Sequence, residues 1–420
     1  MSLKIAAASL LSITSFLHAD SCATCPEIKP AGACSTPFVP ATNPCSLGMI
    51  NPHARPHVDC ARAVVTLEGL LWTAHLDGLQ FAIKNTEAAN LAASQVSLNH
   101  SSPFYDADLL HPKSKWDYGY RLGLGYDWTH DGWDLYADWT HLRTTATQHV
   151  DIDLQMVPRR VYALYTAVVP GSENALGVSD LSTTARTVNP TADSIDARWK
   201  LHFDLIDLEL GREFYTSRYL TLRPHVGLRG ASIRQKYDID YNGGTFTETG
   251  IPLVDDVDFK NNFWGVGVRG GLNSEWHWTR SCGGDWSFYG NLALSLVYGR
   301  FDIEQNETVQ NTNGIDSVLG GSLNILSTES SFRDSRAMTD LALGLRYDRD
   351  CCDADYHLAL WLGWEQHIVF NMNQWIYYNS ISAPGGGHTA PTSPATYTFY
   401  APQEGDLTTE GWTLGLEVDF

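Results

Sequence analysis

The side chains with the most reactive chemistry in this chain are eight cysteines, and they fall into two groups. Five crowd a proline-rich stretch over residues 20–61 and three lie far along the chain: Cys22, Cys25, Cys34, Cys45, Cys60, Cys282, Cys351 and Cys352. The spacing Cys22-x-x-Cys25 is compatible with zinc binding or redox catalysis. However, no second Cys-x-x-Cys pair and no paired histidines stand at the spacing of a zinc site. The sequence therefore predicts no metal and no other cofactor, which leaves disulfide bonding as the leading use of these residues.

Residues 1–19 have the features of a signal peptide. Lys4 supplies a positive charge, residues 5–17 form an apolar core, and Ala19 is a small residue before the predicted cleavage point. The alternative is a buried N-terminal helix. Export favours disulfides, because they form and persist in oxidising compartments.

The remaining polar residues do not assemble into an enzyme motif. The chain has many aspartates and histidines, but neither a Gly-x-Ser-x-Gly sequence nor a glycine-rich phosphate loop. We therefore predict that the protein is not an enzyme. The 28 Lys and Arg residues face 48 Asp and Glu residues, for a net charge of −20. This balance argues against nucleic acid as a partner, because phosphate binding requires an excess of basic residues.

The elements that position these side chains are strands, because a period of two runs from about residue 62 to the end. Residues 116–128 give the clearest case, with apolar or aromatic side chains at seven successive even positions. Asp, Gly or Arg occupies the odd positions between them, so the strand has one apolar and one polar face. The dipeptide Asp131-Gly132 then predicts a tight hairpin into the next strand.

The pattern predicts ten strands, and weaker candidates at 79–83, 161–169 and 396–400 raise the count to twelve or more. The joints between the strands alternate between short and long without exception, and the long ones lie near residues 76–115, 144–194, 237–258, 301–335 and 371–408. This alternation is typical of a transmembrane antiparallel up-and-down β-barrel with short periplasmic turns and long external loops. We therefore predict an all-β barrel of about 10–12 strands in the bacterial outer membrane, rather than a soluble β-sandwich or propeller. A change of phase near Leu205-Ile206 predicts a β-bulge within one strand.

Three segments follow from this pattern. Residues 1–19 are the predicted signal peptide, residues 20–61 a Cys/Pro-rich periplasmic segment and residues 62–420 the barrel. Aromatic girdles are expected where the barrel meets the two membrane surfaces, since Trp116 and Trp128 would lie about 30 Å apart along the membrane normal. The predicted girdle comprises Trp116, Trp128, Trp133, Trp139, Trp264, Trp276, Trp364 and Trp412.

The segment over residues 116–136 also resembles a known family. It reads WDYGYRLGLGYDWTHDGWDLY, and Leu71-Trp72 and Asp77-Gly78-Leu79 precede it. On these residues the chain resembles the Legionella-type major outer membrane protein-like family of pore-forming proteins, which also occurs in environmental chlamydiae. The resemblance implies a porin, that is, a passive aqueous channel for small hydrophilic solutes or ions. The terminal Phe420 is similar to the assembly signal of outer-membrane barrels.

The Cys-rich N-terminal segment resembles a chlamydia-type variant, whose envelope relies on disulfide cross-linking. If Phe420 ends at the periplasmic side, all eight cysteines fall on that side of the membrane. They would then bond either to neighbouring envelope proteins or within the chain, and reducing against non-reducing gels separate the two. The other expected partners are outer-membrane lipid and small solutes or ions, and a homo-oligomer stays open.

The polar faces of the strands supply the candidate pore-lining residues, which would line water in a barrel of this size. They are Arg121, Asp138, Arg223, Arg229, Arg269, Arg346, Glu365 and Glu417. Rings of charge bias ion choice, whereas charges that pair across the lumen leave no net selectivity. The function alternative to a porin is a structural or adhesive barrel with a plugged lumen.

The acidity of the chain is concentrated in the five long joints, which carry a net charge of −16 out of the total of −20. An acidic outer rim attracts cations to the entrance. The sequence therefore predicts a preference for cations.

Overall fold

The computed structural model describes the barrel and parts of its external segments. The described residues are 55–56, 62–85, 107–128, 132–151, 161–165, 191–217, 219–243, 253–281, 284–311, 322–350, 357–383, 395–402 and 404–420. The predicted signal peptide, all eight cysteines and nearly all of the Cys/Pro-rich segment lie outside them. Within the described ranges, no helix is long and apolar enough to cross a membrane.

Ten antiparallel strands close into a barrel. They are β1 (Arg62–Leu76), β2 (Asp117–Asp127), β3 (Trp133–Asp151), β4 (Ser194–Arg212), β5 (Leu220–Asn242), β6 (Leu253–Ser281), β7 (Gly284–Asn311), β8 (Ser322–Asp350), β9 (His357–Asn373) and β10 (Gly405–Asp419). Each strand pairs with its neighbour in the chain, and β10 pairs with β1. The predicted fold class is confirmed, with ten as the strand number.

The connections alternate in length as predicted. Five or fewer residues separate β2 from β3 and β6 from β7, whereas residues 152–193 separate β3 from β4. In the β2–β3 turn Gly132 has a φ of 66°, a left-handed conformation that glycine adopts without steric cost. The amide of Trp128 donates to the carbonyl of Trp133 across this turn, at 2.9 Å.

The strands run far beyond the membrane. A transmembrane strand needs about 9–11 residues, yet β6 and β8 each have 29 and β7 has 28. The region 301–335, predicted as a long loop, is therefore mostly strand on either side of residues 312–321. The prediction was wrong there because these strand extensions lack the apolar outer face on which it relied.

Strand β4 shows how such an extension is built. Its outward residues Ile206 and Leu208 are 61 and 42% exposed, whereas Asp207 and Glu209 point into the barrel and are buried. Further up the same strand the order reverses, because Arg198 faces out and the inner face becomes apolar. The buried apolar residues of this inner face are Ile195, Ala197, Trp199, Leu201, Phe203 and Leu205.

The predicted β-bulge near Leu205-Ile206 is wrong. Leu205 pairs with Thr140 on one side and with Ala231 on the other, within an uninterrupted register. The odd-numbered side chains of β4 point inward along the whole strand. What changes near Leu205 is the solvent outside the barrel. Lipid surrounds the lower part and requires apolar residues outside, whereas water surrounds the upper part and allows them inside.

The same reversal divides the neighbouring strands at a similar height. We call the part with apolar outward residues the lower section. The upper section comprises residues 142–151, 194–205, 231–242, 253–263 and 301–311 of β3 to β7, whose inward side chains are largely apolar and buried. The barrel thus has a polar interior in the membrane and an apolar interior above it.

The three weak strand candidates belong to small external sheets rather than to the barrel wall. Residues Ala82–Asn85 pair with Ala107–Leu110 and with Val161–Ala163. A separate hairpin pairs Ile376–Ala383 with Ala395–Pro402.

Candidate functional site in the barrel lumen

Arg121 of β2 lies at the centre of one group of charges in the lower section. Its guanidinium donates to Glu68 at 2.6 Å and to Glu365 at 2.9 Å, and its Nε lies 3.8 Å from Asp138. These four side chains come from β1, β2, β3 and β9. The alternation of each strand turns them inward, and closure of the barrel brings them together.

A second group lies on the opposite wall. Arg229 of β5 donates to both carboxylate oxygens of Asp207, at 2.7 and 2.5 Å, and lies 2.8 Å from Asp340. Arg269 of β6 lies 2.9 Å from Glu209 and also contacts Asp340. Two-pronged contacts of this kind are the strong form of an arginine–carboxylate pair.

His367 of β9 joins the two groups. Its ring nitrogens lie 2.7 Å from Asp340 and 3.3 Å from Glu365. Glu365 contacts Arg121 and Asp340 contacts Arg229, so a continuous chain of polar contacts crosses the lumen.

Further pairs lie toward the periplasmic end. Arg223 contacts Asp134 and lies 3.3 Å from Glu209. Arg346 lies 2.5 Å from Glu417, 2.8 Å from Asp348 and 3.6 Å from Glu275.

The ion-pair cluster, as we call these groups together, contains five guanidinium groups and ten carboxylates. The carboxylates are Glu68, Asp134, Asp138, Asp207, Glu209, Glu275, Asp340, Asp348, Glu365 and Glu417. With all carboxylates ionised and the neighbouring histidines neutral, the cluster carries an excess of five negative charges. Six of its fifteen residues are buried, among them Arg229 at 2% exposure, and the side chains of the other nine are 10 to 29% exposed.

One set of donors near the periplasmic end has the types that bind a metal. Among the described residues, only His357, Glu417 and Asp419 place three such atoms within 4.8 Å of one another. Arg346 already neutralises part of this set through Glu417.

The upper section is filled by a different kind of contact. Residues 77–85, 161–165 and 372–378 lie among the inward side chains of the extended strands, and we call them the cap. Tyr237 of β5 stacks on Trp375 of the cap, with ring centroids 5.6 Å apart, and Tyr165 packs edge-on against Phe259 at 4.9 Å. All four rings are fully buried.

Polar side chains of the wall hold the backbone of the cap. The hydroxyls of Tyr237 and Tyr241 donate to the carbonyls of Leu79 and Phe81, at 2.8 and 2.7 Å. The amide of Asn261 donates to the carbonyl of Met372 at 2.9 Å, and Gln305 donates to Ile376 at 3.0 Å. Buried carbonyls need such donors, so these contacts fix the position of the cap.

All eight predicted pore-lining residues lie on the inner wall of the lower section, but in ion pairs with little exposed surface. Seven carboxylates of the cluster were not among them: Glu68, Asp134, Asp207, Glu209, Glu275, Asp340 and Asp348. The parity of each strand identifies them, since Asp340 and Glu275 lie an even number of residues from Arg346 and Arg269. Asp207 and Glu209 were not identified, because the bulge predicted just before them left the inward positions of the strand undefined.

The predicted girdle tryptophans face outward, and seven are at least 38% exposed. The eighth, Trp364, is half-buried against Trp116 and Trp412, at 6.0 and 5.5 Å between ring centroids. Phe420 is 64% exposed, and its backbone pairs with that of Ala63. Its role in assembly stays a prediction.

The closed barrel, its apolar lower exterior and its charged lower interior define an outer-membrane β-barrel protein. Residues 62–420 match the family model described as the Legionella pneumophila major outer membrane protein precursor, so the chain belongs to this family and lies in the bacterial outer membrane. No curated protein sequence matches the chain.

Solved structures similar to this chain are also outer-membrane barrels. One is the outer membrane protease OmpT from Escherichia coli, with 7% identity, a TM-score of 0.35, and coverage of 86% of this chain and 96% of that one. Another is the Ralstonia pickettii toluene transporter TbuX, with 10% identity, a TM-score of 0.23 and coverage of 85 and 88%. A third is a deletion mutant of the monoaromatic hydrocarbon channel TodX, with 10% identity, a TM-score of 0.23 and coverage of 86 and 90%.

Proposed function

We propose that the protein is a narrow, cation-preferring porin. The observation that carries this proposal is the imbalance of the ion-pair cluster, in which ten carboxylates face five arginines. Uncompensated buried carboxylates are costly unless water or cations accompany them. A lumen with this excess therefore favours the entry of hydrated cations, and the cluster is the constriction that they pass.

The cap is the external gate in this proposal. Its aromatic side chains close the upper section, so conduction requires the cap to move away from the wall. The contacts of Tyr237, Tyr241 and Asn261 with the cap backbone set how often this happens. The pore is consequently expected to open rarely and to pass only small ions.

Planar-bilayer recording of the refolded full chain tests both parts. The native protein is expected to give small, infrequent conductance steps and a reversal potential of cation-selective sign in a salt gradient. Trp375→Ala removes a ring that holds the cap and is expected to raise the open probability. Trp412→Ala, which removes a lipid-facing ring, serves as the matched control and is expected to leave it unchanged.

Selectivity is tested by a second matched pair. Glu365→Gln removes one lumen carboxylate and is expected to reduce the cation preference, whereas Glu329→Gln removes an exposed charge from the outer wall and is expected to have no effect. Anion preference in the native protein, or equal effects of the two variants, would contradict the proposed constriction.

The burial of both layers favours a second candidate function, a closed structural or adhesive barrel. Arg229 in the cluster and Trp375 in the cap are 2 and 1% exposed, so each layer packs densely. A correctly folded protein that stays silent both as the native chain and as Trp375→Ala would establish this function instead.

A further inference from the structure

A cluster of basic side chains lies on the outer wall of the upper section, where the chain is otherwise acidic. The registers of β3 to β6 place outward residues in rows that run across the strands. One row consists of Arg143, His202, Arg234 and Asn262, and the next consists of Thr145, Lys200, Lys236 and Lys260. Five of these eight positions are Lys or Arg, one is His and none is acidic.

The rows form one compact surface. Neighbouring strands lie about 4.8 Å apart, and successive outward rows about 6.6 Å apart. We call the six basic residues of these rows the basic patch. The side chains of Lys200, Arg234, Lys236 and Lys260 are 41 to 53% exposed.

The five Lys and Arg side chains of the patch lie among four carboxylates, those of Asp204, Asp238, Asp258 and Glu304, which leaves one positive charge in excess. Burial and the neighbouring charges of Arg143 and Arg234 together lower the pKa of His202. Arg143 has no ion-pair partner within the described part of the chain. Lys236 lies 2.6 Å from Asp238 and 3.3 Å from Asp258, Lys260 lies 2.6 Å from Glu304, and Arg234 lies 3.4 Å from Asp204. In each of these pairs at least the basic side chain is exposed. Exposed pairs contribute little free energy, so a doubly charged anion can replace them.

The height of the patch indicates what kind of anion it meets. The row directly below it is mixed and holds His141, Asp204, Ser232 and Trp264, whereas the row below that is apolar and holds Trp139, Ile206, Gly230 and Val266. The patch therefore begins two rows above the apolar belt, at the level of the headgroups of the outer leaflet. Long basic side chains reach toward such groups while their stems lie on the apolar surface.

We propose that the basic patch binds the phosphate groups of an outer-leaflet glycolipid. Phosphate accepts charge-assisted hydrogen bonds from Arg and Lys, and two rows of donors match a headgroup that carries two phosphates. This interaction is independent of the pore, because the patch lies on the opposite side of the wall from the ion-pair cluster.

Binding of purified full-length protein to detergent-solubilised bisphosphorylated lipid A tests the proposal, with native mass spectrometry or thermophoresis as the readout. A triple variant with Arg143→Gln, Arg234→Gln and Lys236→Gln is expected to bind lipid A at least about tenfold more weakly, because three charge-assisted contacts are lost. The control Arg300→Gln, Arg333→Gln, Arg349→Gln makes the same change in charge on β7 and β8, outside the patch, and is expected to bind as the native chain does.

Three further arms keep the outcome decisive. Arg143→Lys with Arg234→Lys retains the charge and is expected to keep most of the binding, which separates charge from folding. The native chain is expected to bind dephosphorylated lipid A no more tightly than the triple variant binds the bisphosphorylated form. Equal binding of the two lipids by the native chain would overturn the proposal. Lipid A that stays bound in an excess of inorganic phosphate or of a poly-glutamate peptide supports the glycolipid as the ligand. Displacement of lipid A by the peptide would assign the patch to an acidic protein and overturn the proposal.

Discussion

The lower and upper sections of the barrel are built from the same strands with opposite arrangements. In the lower section Ile206 and Leu208 face lipid while Asp207 faces the lumen, and in the upper section Arg198 faces water while Trp199 is buried inside. The pairing register runs through the boundary without interruption. Alternation therefore gives each strand two distinct faces, and the lipid or water outside the barrel decides which of the two is apolar.

The two interiors also differ in what holds them together. Charged pairs fill the lower section, where their desolvation offsets much of their attraction. Aromatic packing and hydrogen bonds to loop carbonyls fill the upper section, as in the core of a soluble protein. The stability of the lower interior is consequently sensitive to the loss of one member of an ion pair. The stability of the upper interior is sensitive to the loss of buried side-chain volume.

The largest effect is expected from breaking the lower interior. Arg229→Leu removes the guanidinium that holds Asp207 by a two-pronged contact and also contacts Asp340, so that Arg269 is left to neutralise both carboxylates. This is expected to cost about 3–5 kcal/mol of the free energy of unfolding. Urea unfolding in lipid vesicles measures this. Arg333→Gln, on the exposed outer wall, is the control and is expected to stay within about 0.5 kcal/mol. A loss below about 1 kcal/mol for Arg229→Leu would show that water satisfies the two carboxylates.

A matched pair on the outside of β7 tests the boundary itself. Leu294→Arg puts a charge on the lipid face and is expected to cost about 2–4 kcal/mol. Asn306→Arg introduces the same side chain twelve residues further along the strand, where water surrounds the barrel, and is expected to leave the free energy of unfolding almost unchanged. Equal effects at the two positions, read from the same urea titrations, would place the membrane boundary elsewhere.

A smaller effect is expected from loosening the cap. Tyr241→Phe keeps the packing of the ring but removes the hydrogen bond to the carbonyl of Phe81, for about 1 kcal/mol. The change should appear as faster hydrogen exchange in residues 77–85, with β10 unaffected. Unchanged exchange in the cap would mean that packing alone positions it.

The smallest effect concerns pH at the outer rim. Burial and the neighbouring Asp256 raise the pKa of Asp240 to about 6, and hydrogen bonds that its ring donates to Asp151 and Asp196 raise the pKa of His149. Both groups bind a proton more tightly in the folded than in the unfolded chain, so acidification stabilises the fold. The contribution of Asp240 grows as pH falls from above 6 toward 4, and that of His149 is lost as pH rises above its raised pKa.

Between pH 7.5 and pH 5 these two groups therefore increase the protease protection of the upper section, whereas His202, whose pKa is lowered, acts in the opposite direction. In Asp240→Asn this increase should be smaller, whereas Glu329→Gln, with the same change in charge, should behave as the native chain. A pH profile that is identical in Asp240→Asn would exclude this residue as the source.

The sequence predicted the strands most securely where lipid faces them. Residues 116–128 show the alternation because every outward side chain there is apolar, and the Asp131-Gly132 turn is confirmed by the φ of Gly132. Where the strands leave the membrane, as in residues 301–311, polar residues outside replaced that signal and a loop was predicted instead of a strand.

The candidate site was predicted only in part for a related reason. Parity identifies Arg121 and Glu365 as inward, but their contact joins residues 244 positions apart. Pairing across a lumen depends on strand number, tilt and closure, which no local pattern contains. The cap was missed altogether, since Leu79, Phe81 and Trp375 belong to long joints without a repeating pattern.

Local sequence patterns determined the class of the protein: a membrane barrel of about 10–12 strands, with short turns at one end and an acidic exterior beyond the membrane. Local alternation and turn residues suffice for this, because they act between neighbours in the chain. Three features depend on the tertiary structure: the pairing of the lumen charges, the filling of the upper section by a cap, and the placement of six basic residues in two outward rows. Each of these depends on which strands become neighbours when the sheet closes, and on the boundary between lipid and water that crosses them.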